Sequence, residues 1–138
     1  MRTIRPFTLA IDRLNAVGLR PTRQRLALAR SLFENGDRHI TAEQLHREMI
    51  ERGVRVSLAT VYNSLNQFTD AGLLREVVIE AGRSYFDTNT VEHHHFFNDD
   101  SGELQDIPAD SVVLSSLPVA PPNLVIERVD VVVHVRNK

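Results

Sequence analysis

The sequence predicts an α+β protein: a winged helix-turn-helix over residues 1–88, then a small C-terminal α/β dimerisation domain over 89–138. Three observations predict it. Four amphipathic segments, each with helix start and stop residues, fill the first half. Two strand-like runs joined by Ala81-Gly82 follow the fourth segment directly. After Thr88-Asn89-Thr90 the composition shifts toward Val, Pro and acidic residues.

Thr8 to Val17 forms a first helix with Leu9, Ile11 and Leu14 apolar and Gly18 as its stop. Pro21 breaks the chain and Thr22 caps a second helix whose apolar face is Leu26, Ala29, Leu32 and Phe33. Asn35-Gly36 ends it. Thr41 with Gln44 is a capping-box pattern, opening a third helix with Leu45, Met49 and Ile50 inward and Gly53 at its end. Ser57 caps the fourth helix, on which Leu58, Val61, Leu65 and Phe68 make one apolar stripe. Gly72 fits the left-handed position that follows. Leu73–Glu80 and Arg83–Thr88 read as a hairpin. Helices over 41–52 and 58–71 with a tight connection and a following hairpin form a winged arrangement, whose second helix enters a DNA major groove.

In the second segment, Val91–Asn98 and Glu103–Ile107 read as strands around the turn Asp99-Asp100-Ser101-Gly102. Asp110–Leu117 reads as a short helix stopped by Pro118, and Leu124–Val135 as one long strand. A piece this small cannot build an independent core. A long Val-rich strand also leaves an adhesive edge, so a homodimer is expected, pairing two reading helices on a two-fold symmetric site.

Net charge is −2, but it is divided unevenly: 13 Arg face 9 acids over residues 1–83, and 3 cations face 9 acids over 84–138. A basic front suits a polyanion, and arginine suits bidentate phosphate or guanine contacts. The exposed side of the fourth helix carries Ala59, Asn63, Asn66 and Gln67, flanked by Thr60 and Tyr62, with Asp70 as its one charge. Amides and hydroxyls both donate and accept, as reading base edges requires. Double-stranded operator DNA is therefore the expected partner. Arg20, Arg23, Arg25, Arg55, Arg75 and Arg83 are expected at phosphates and the minor groove, and Ser57, Thr60, Tyr62 and Asn63 at bases. A surface helix that happens to lack charge is the plainer alternative. No apolar run spans a bilayer and no signal pattern precedes the chain, so no membrane partner and a cytoplasmic location are expected.

The chain has no Cys, which excludes disulfides, thiolate zinc and thiolate haem ligation. The sharpest chemical feature is Glu92-His93-His94-His95-Phe96-Phe97. Alternation along a strand puts His93 and His95 on one face and His94 on the other. Two imidazoles so placed are half of a first-row metal site that Asp87 or Asp106 and His39 could complete, with Fe, Mn or Zn as suitable ions. Haem ligation by the same rings is the alternative. For His46 and His134 alone, plain surface roles are the expectation.

Together these residues resemble the ferric-uptake-regulator family of bacterial repressors. The matches are Gly18–Arg25, His39–Glu43, Ser57–Tyr62, Leu65–Leu73 and His93–His95; Tyr85–Asn89, Asp106–Pro108 and Val129–Val133 look most like its iron-response regulator (Irr) branch. The resemblance implies a winged helix plus a dimerisation domain and iron-dependent control of transcription, with haem as the signal in the Irr branch. It implies that Tyr62 contacts bases, that Arg20 reaches a minor groove, and that His39, Asp87, His93, His95 and Asp106 hold the regulatory metal. The family often has Arg after that Tyr; here it is Asn63, so the preferred operator should differ. The family's Cys-x-x-Cys zinc pair falls on Asn98 and Ser101, so that site is absent. A second C-terminal site would fall on Glu92, His94, Val113 and Val129, two of which cannot ligate. Without Cys, any haem would rest on His93, His94 and His95 with His46 or His39. Two other classes compete: a small metal-dependent hydrolase built on His93, His95 and Asp87, and a dimeric interaction module without specific DNA binding. The first lacks a nucleophile–base pair, and the second leaves the amide face unexplained.

Overall fold

A computed structural model describes residues 8–138 of the chain. They fall into two compact units that divide after Thr90. The first holds α1 (Thr8–Ala16), α2 (Arg23–Phe33), β1 (His39–Ile40), α3 (Ala42–Glu51), α4 (Leu58–Asp70), β2 (Arg75–Glu80) and β3 (Arg83–Asp87).

The helix starts follow their caps. Thr22 accepts from the Arg25 amide at 3.3 Å, and Ser57 from the Thr60 amide at 3.1 Å. Thr41 and Gln44 close a reciprocal capping box at 3.1 and 2.9 Å. Each such cap satisfies amides that no carbonyl of the helix can reach, worth about 1 kcal/mol. Gly72 ends α4 with φ +85°, where a Cβ would be strained.

One apolar cluster joins the helices. Leu14, Leu28, Leu32, Ile40, Leu45, Met49, Val61, Leu65 and Phe68 are all essentially inaccessible to solvent. The stripe expected on α4 is the one buried, with Leu58 half-buried at its end. Ile50 is a correction: it is exposed, not inward. Leu45 and Met49 are four apart and share the buried face, and the next residue turns about 100° away from it.

β2 and β3 form the expected hairpin, with Gly82 at φ +75° in its turn and a register shift between Val78 and Glu80. The two-residue strand β1 pairs with the other side of β3, giving the antiparallel order β1-β3-β2. It was not anticipated, because two residues show no periodicity. Arg38 anchors it with a bidentate pair to Glu48 at 2.9 and 2.8 Å, and its amide donates to Thr88 Oγ1 at 2.9 Å.

The second unit holds β4 (His94–Asn98), β5 (Leu104–Ile107) and β6 (Val132–Val135) in the order β5-β4-β6. β5 is antiparallel to β4 and β6 parallel. Three expectations are corrected here. β4 begins at His94 rather than Val91. The expected helix over 110–117 is only a single 3-10 turn, Ala109–Ser111. Val112 and Val113 are β-branched and disfavour helix, and Val113, Leu114 and Leu117 are exposed. The strand expected over 124–135 is confined to Val132–Val135, which is as much of it as pairs with His95–Asn98. Leu124, Val125 and Ile126 stand exposed instead.

The β4–β5 turn is closed by hydrogen bonds at the positions where a zinc pair was found missing. Asn98 Oδ1 accepts from the amides of Asp100 and Ser101 at 2.9 and 3.1 Å, and Asn98 Nδ2 donates to Asn137 Oδ1 at 3.0 Å. The Asn137 amide donates to Asp100 Oδ2 at 2.8 Å, so the turn and the chain end hold each other. No helix among the described residues is long and apolar enough to cross a membrane.

Candidate metal centre and nucleic-acid face

Strand register builds the histidine–carboxylate contacts. In the second unit His95 lies directly opposite Asp106 across the β4–β5 ladder. Its Nε2 is 3.4 Å from Asp106 Oδ1, and His93 Nε2 is 3.2 Å from the same oxygen. The two imidazoles meet edge to face, centroids 4.5 Å apart, and both are buried. His93 and His95 thus share a side, although His93 lies just before β4.

The proton of His93 can be assigned from its partner. Nδ1 lies 2.5 Å from the Val91 carbonyl, which only accepts, so Nδ1 carries the hydrogen. Nε2 then presents a lone pair to a carboxylate oxygen. Two acceptors at 3.2 Å repel unless a cation or a proton lies between them. An ion holding nitrogen and oxygen ligands at about 2.1 Å keeps neighbouring ligand atoms about 3.0–3.4 Å apart, octahedral to tetrahedral. The observed separations lie in or at that interval. The donor set therefore fits a small divalent cation, and the Val91 carbonyl is the kind of second partner that fixes a metal-binding tautomer.

In the first unit His39 lies opposite Asp87 across β1–β3, with Nε2 3.1 Å from Asp87 Oδ2. Asp87 is buried, and its other oxygen accepts from the Asn89 amide at 2.9 Å. This second imidazole–carboxylate pair offers the same ligand chemistry.

The other histidines have different work. His94 Nδ1 accepts from the Val131 amide at 3.1 Å and holds the approach to β6. His46 is half-buried rather than exposed, and its Nε2 donates to the Val56 carbonyl at 2.9 Å, bracing the α3–α4 connection. Each of these two haem candidates thus has one ring nitrogen engaged. His134 pairs with Asp99 at 2.9 Å on the surface, as expected of it.

On the first unit Tyr62, Asn63, Asn66 and Gln67 are exposed along α4. Arg20, Arg23 and Arg55 are exposed, and Arg83 stands at the hairpin beside Glu80 at 3.6 Å. Arg25 is half-buried: it donates to the Arg20 carbonyl at 3.2 Å and to Gln67 Oε1 at 3.3 Å, tying the start of α2 to α4. Ser57 and Thr60 hydroxyls bond each other at 2.9 Å, and Thr60 is half-buried. Arg75 is corrected: it is buried, opposite Asp87 in the hairpin register, and unavailable to phosphates. The signal was in the sequence, since Arg75 alternates in phase with Val77 and Ile79 on the inner side of β2.

One contact of Tyr62 escaped the sequence. Tyr62 donates its hydroxyl to Glu43 Oε1 at 2.5 Å across α4 and α3. The bond, with burial and the charge of the same carboxylate, raises the phenol pKa above its ordinary value. A pairing between two helices leaves no local pattern to read.

The model of the ferric uptake regulator family matches residues 16–126. The chain belongs to the ferric uptake regulator family. It is 36% identical over 108 residues to the ferric uptake regulation protein of Klebsiella pneumoniae, covering 78% of this chain and 70% of that one. Its fold superimposes on the ferric uptake regulator of Vibrio cholerae with a TM-score of 0.70 at 26% identity, covering 92% of this chain and 98% of the other. The manganese-containing regulator of Pseudomonas aeruginosa gives the same score and identity, covering 95% and 99%. Family members are dimeric, metal-responsive, DNA-binding regulators of transcription, so this chain is a regulator and not an enzyme.

Proposed function

We propose that this chain is a cytoplasmic, homodimeric repressor whose grip on double-stranded operator DNA is set by a divalent cation, Fe, Mn or Zn. One observation carries the proposal: the Nε2 atoms of His93 and His95 converge on one oxygen of Asp106 at 3.2 and 3.4 Å. His39 and Asp87, an imidazole–carboxylate pair in the first unit, offer further nitrogen and oxygen donors of the same chemistry. When bound, the ion supplies positive charge among these donors. The residues fix its position. An ion changes DNA affinity only by binding one arrangement of the molecule better than another.

The operator reading assigns bases to Tyr62 and Asn63 with Ser57 and Thr60, and phosphates or the minor groove to Arg20, Arg23, Arg25, Arg55 and Arg83. The position of Asn63 beside Tyr62 on the exposed face of α4 supports it. The donor set favours a bare cation over the haem that the Irr branch would use. His94 Nδ1 accepts from the Val131 amide, which leaves its hydrogen on Nε2, and the Nε2 atoms of His93 and His95 face a carboxylate.

The test is calorimetric titration of the metal-free protein with manganese(II), then gel shifts on its promoter DNA with and without the ion. Binding lost in a His93→Ala/His95→Ala variant, with DNA affinity no longer metal-dependent, is the expected result. Unchanged metal affinity in that variant overturns the assignment, as does a Soret band on hemin addition that the same variant abolishes.

A further inference from the structure

We infer that Glu43 sets the hydrogen-bonding polarity of Tyr62, and so determines which bases that side chain accepts; the inference rests on the reading of α4 as the base-contacting helix. Tyr62 and Asn66 line a cleft of about 480 Å³ between α4, the start of α3 and the hairpin, with Glu43, Glu76 and Arg83 on its other walls. Carboxylates repel phosphates, so two of them on a DNA-facing surface need a reason to be there. Both are occupied by hydroxyls: Glu76 accepts from Ser84 Oγ at 2.8 Å, and Glu43 from Tyr62 at 2.5 Å. An ionised carboxylate only accepts, so the phenol proton points at Glu43. The phenol oxygen then has only lone pairs to offer a base.

That leaves a one-sided probe. An acceptor in the major groove pairs with the amino group of adenine or cytosine and is repelled by the carbonyl of thymine or guanine. A free phenol would rotate to suit either. The Thr41–Gln44 capping box fixes the first turn of α3, which carries Glu43 and where a negative charge is favoured. Glu43 is therefore a positioning residue: it acts on DNA through the Tyr62 hydroxyl.

The experiment is selection from a pool of randomised duplexes by the full-length protein, once with manganese(II) and once with EDTA. Wild type, Glu43→Ala, Glu43→Gln and Tyr62→Phe are compared. Wild type should show, in each half-site, a position restricted to adenine or cytosine. Glu43→Ala should relax that position by ~5–10-fold in relative affinity, leave the other positions alone, and bring the Tyr62 phenol pKa down. Tyr62→Phe should lose the same preference, and Glu43→Gln, whose amide oxygen still accepts, should keep most of it. A purely structural role for Glu43 predicts an even loss across all positions, and that result overturns the inference. So does an unchanged motif in Glu43→Ala. If wild type itself enriches no sequence in either condition, the reading of α4 fails and this inference falls with it.

Discussion

The two units solve the problem of stability in opposite ways. The first encloses a continuous apolar cluster contributed by four helices and two strands. In the second, Phe97 and Ile107 are the buried apolar residues among those described, beside three buried histidines. Its apolar side chains mostly face outward: Val91, Phe96, Val113, Leu114, Leu117, Val119, Leu124, Val125, Ile126 and Val133 are all exposed. An apolar surface on that scale marks an interaction site. The contrast teaches that the first unit is built to be rigid by itself, whereas the second needs something added. On the proposed function, a cation and a second copy of the chain are those additions.

Variants can break that contrast, beginning with the core. Phe68→Ala, at a fully buried position, should cost about 3–5 kcal/mol in denaturant unfolding of the first unit, and a loss near zero would show that the cluster is not continuous. His95→Ala should lower manganese affinity at least ~100-fold by calorimetry while the urea midpoint of the first unit stays put, since that residue belongs to the other unit. Ile126→Glu should shift sedimentation toward monomer without altering helical circular dichroism; a dimer that survives it would place the interface elsewhere. Thr41→Ala should cost about 1 kcal/mol, a test of whether the capping box contributes to stability beyond fixing the turn that carries Glu43.

The smallest effect is a titration. The Tyr62 phenol has a raised pKa, led by its bond to Glu43. A raised value in the folded protein means the contact stabilises fully below the unfolded tyrosine pKa and is lost as pH climbs through the folded one. Absorbance of ionised tyrosine should therefore appear at higher pH for Tyr62 in wild type than in Glu43→Ala.

How much of this was legible in the sequence divides along the same line. Caps and stops are local, so Thr22, Thr41, Ser57 and Gly72 located the helices of the first unit. The expectation that His93 and His95 share a side came from strand alternation, whereas Asp106 stood beside Asp87 as one candidate carboxylate among two. What failed was what depends on partners. A run such as Leu124–Val131 has the composition of a strand, but extends only as far as a neighbour pairs with it. Arg75 was misplaced because its charge outweighed its phase, and Glu43 was overlooked because it meets Tyr62 across two helices.

Asn98 has a consequence for the conditions this regulator tolerates. A knuckle fastened by amide groups contains no sulfur to oxidise and no ion to strip away. Hydrogen peroxide and chelators should pass it by, so stripping the regulator of its metal should leave this turn closed.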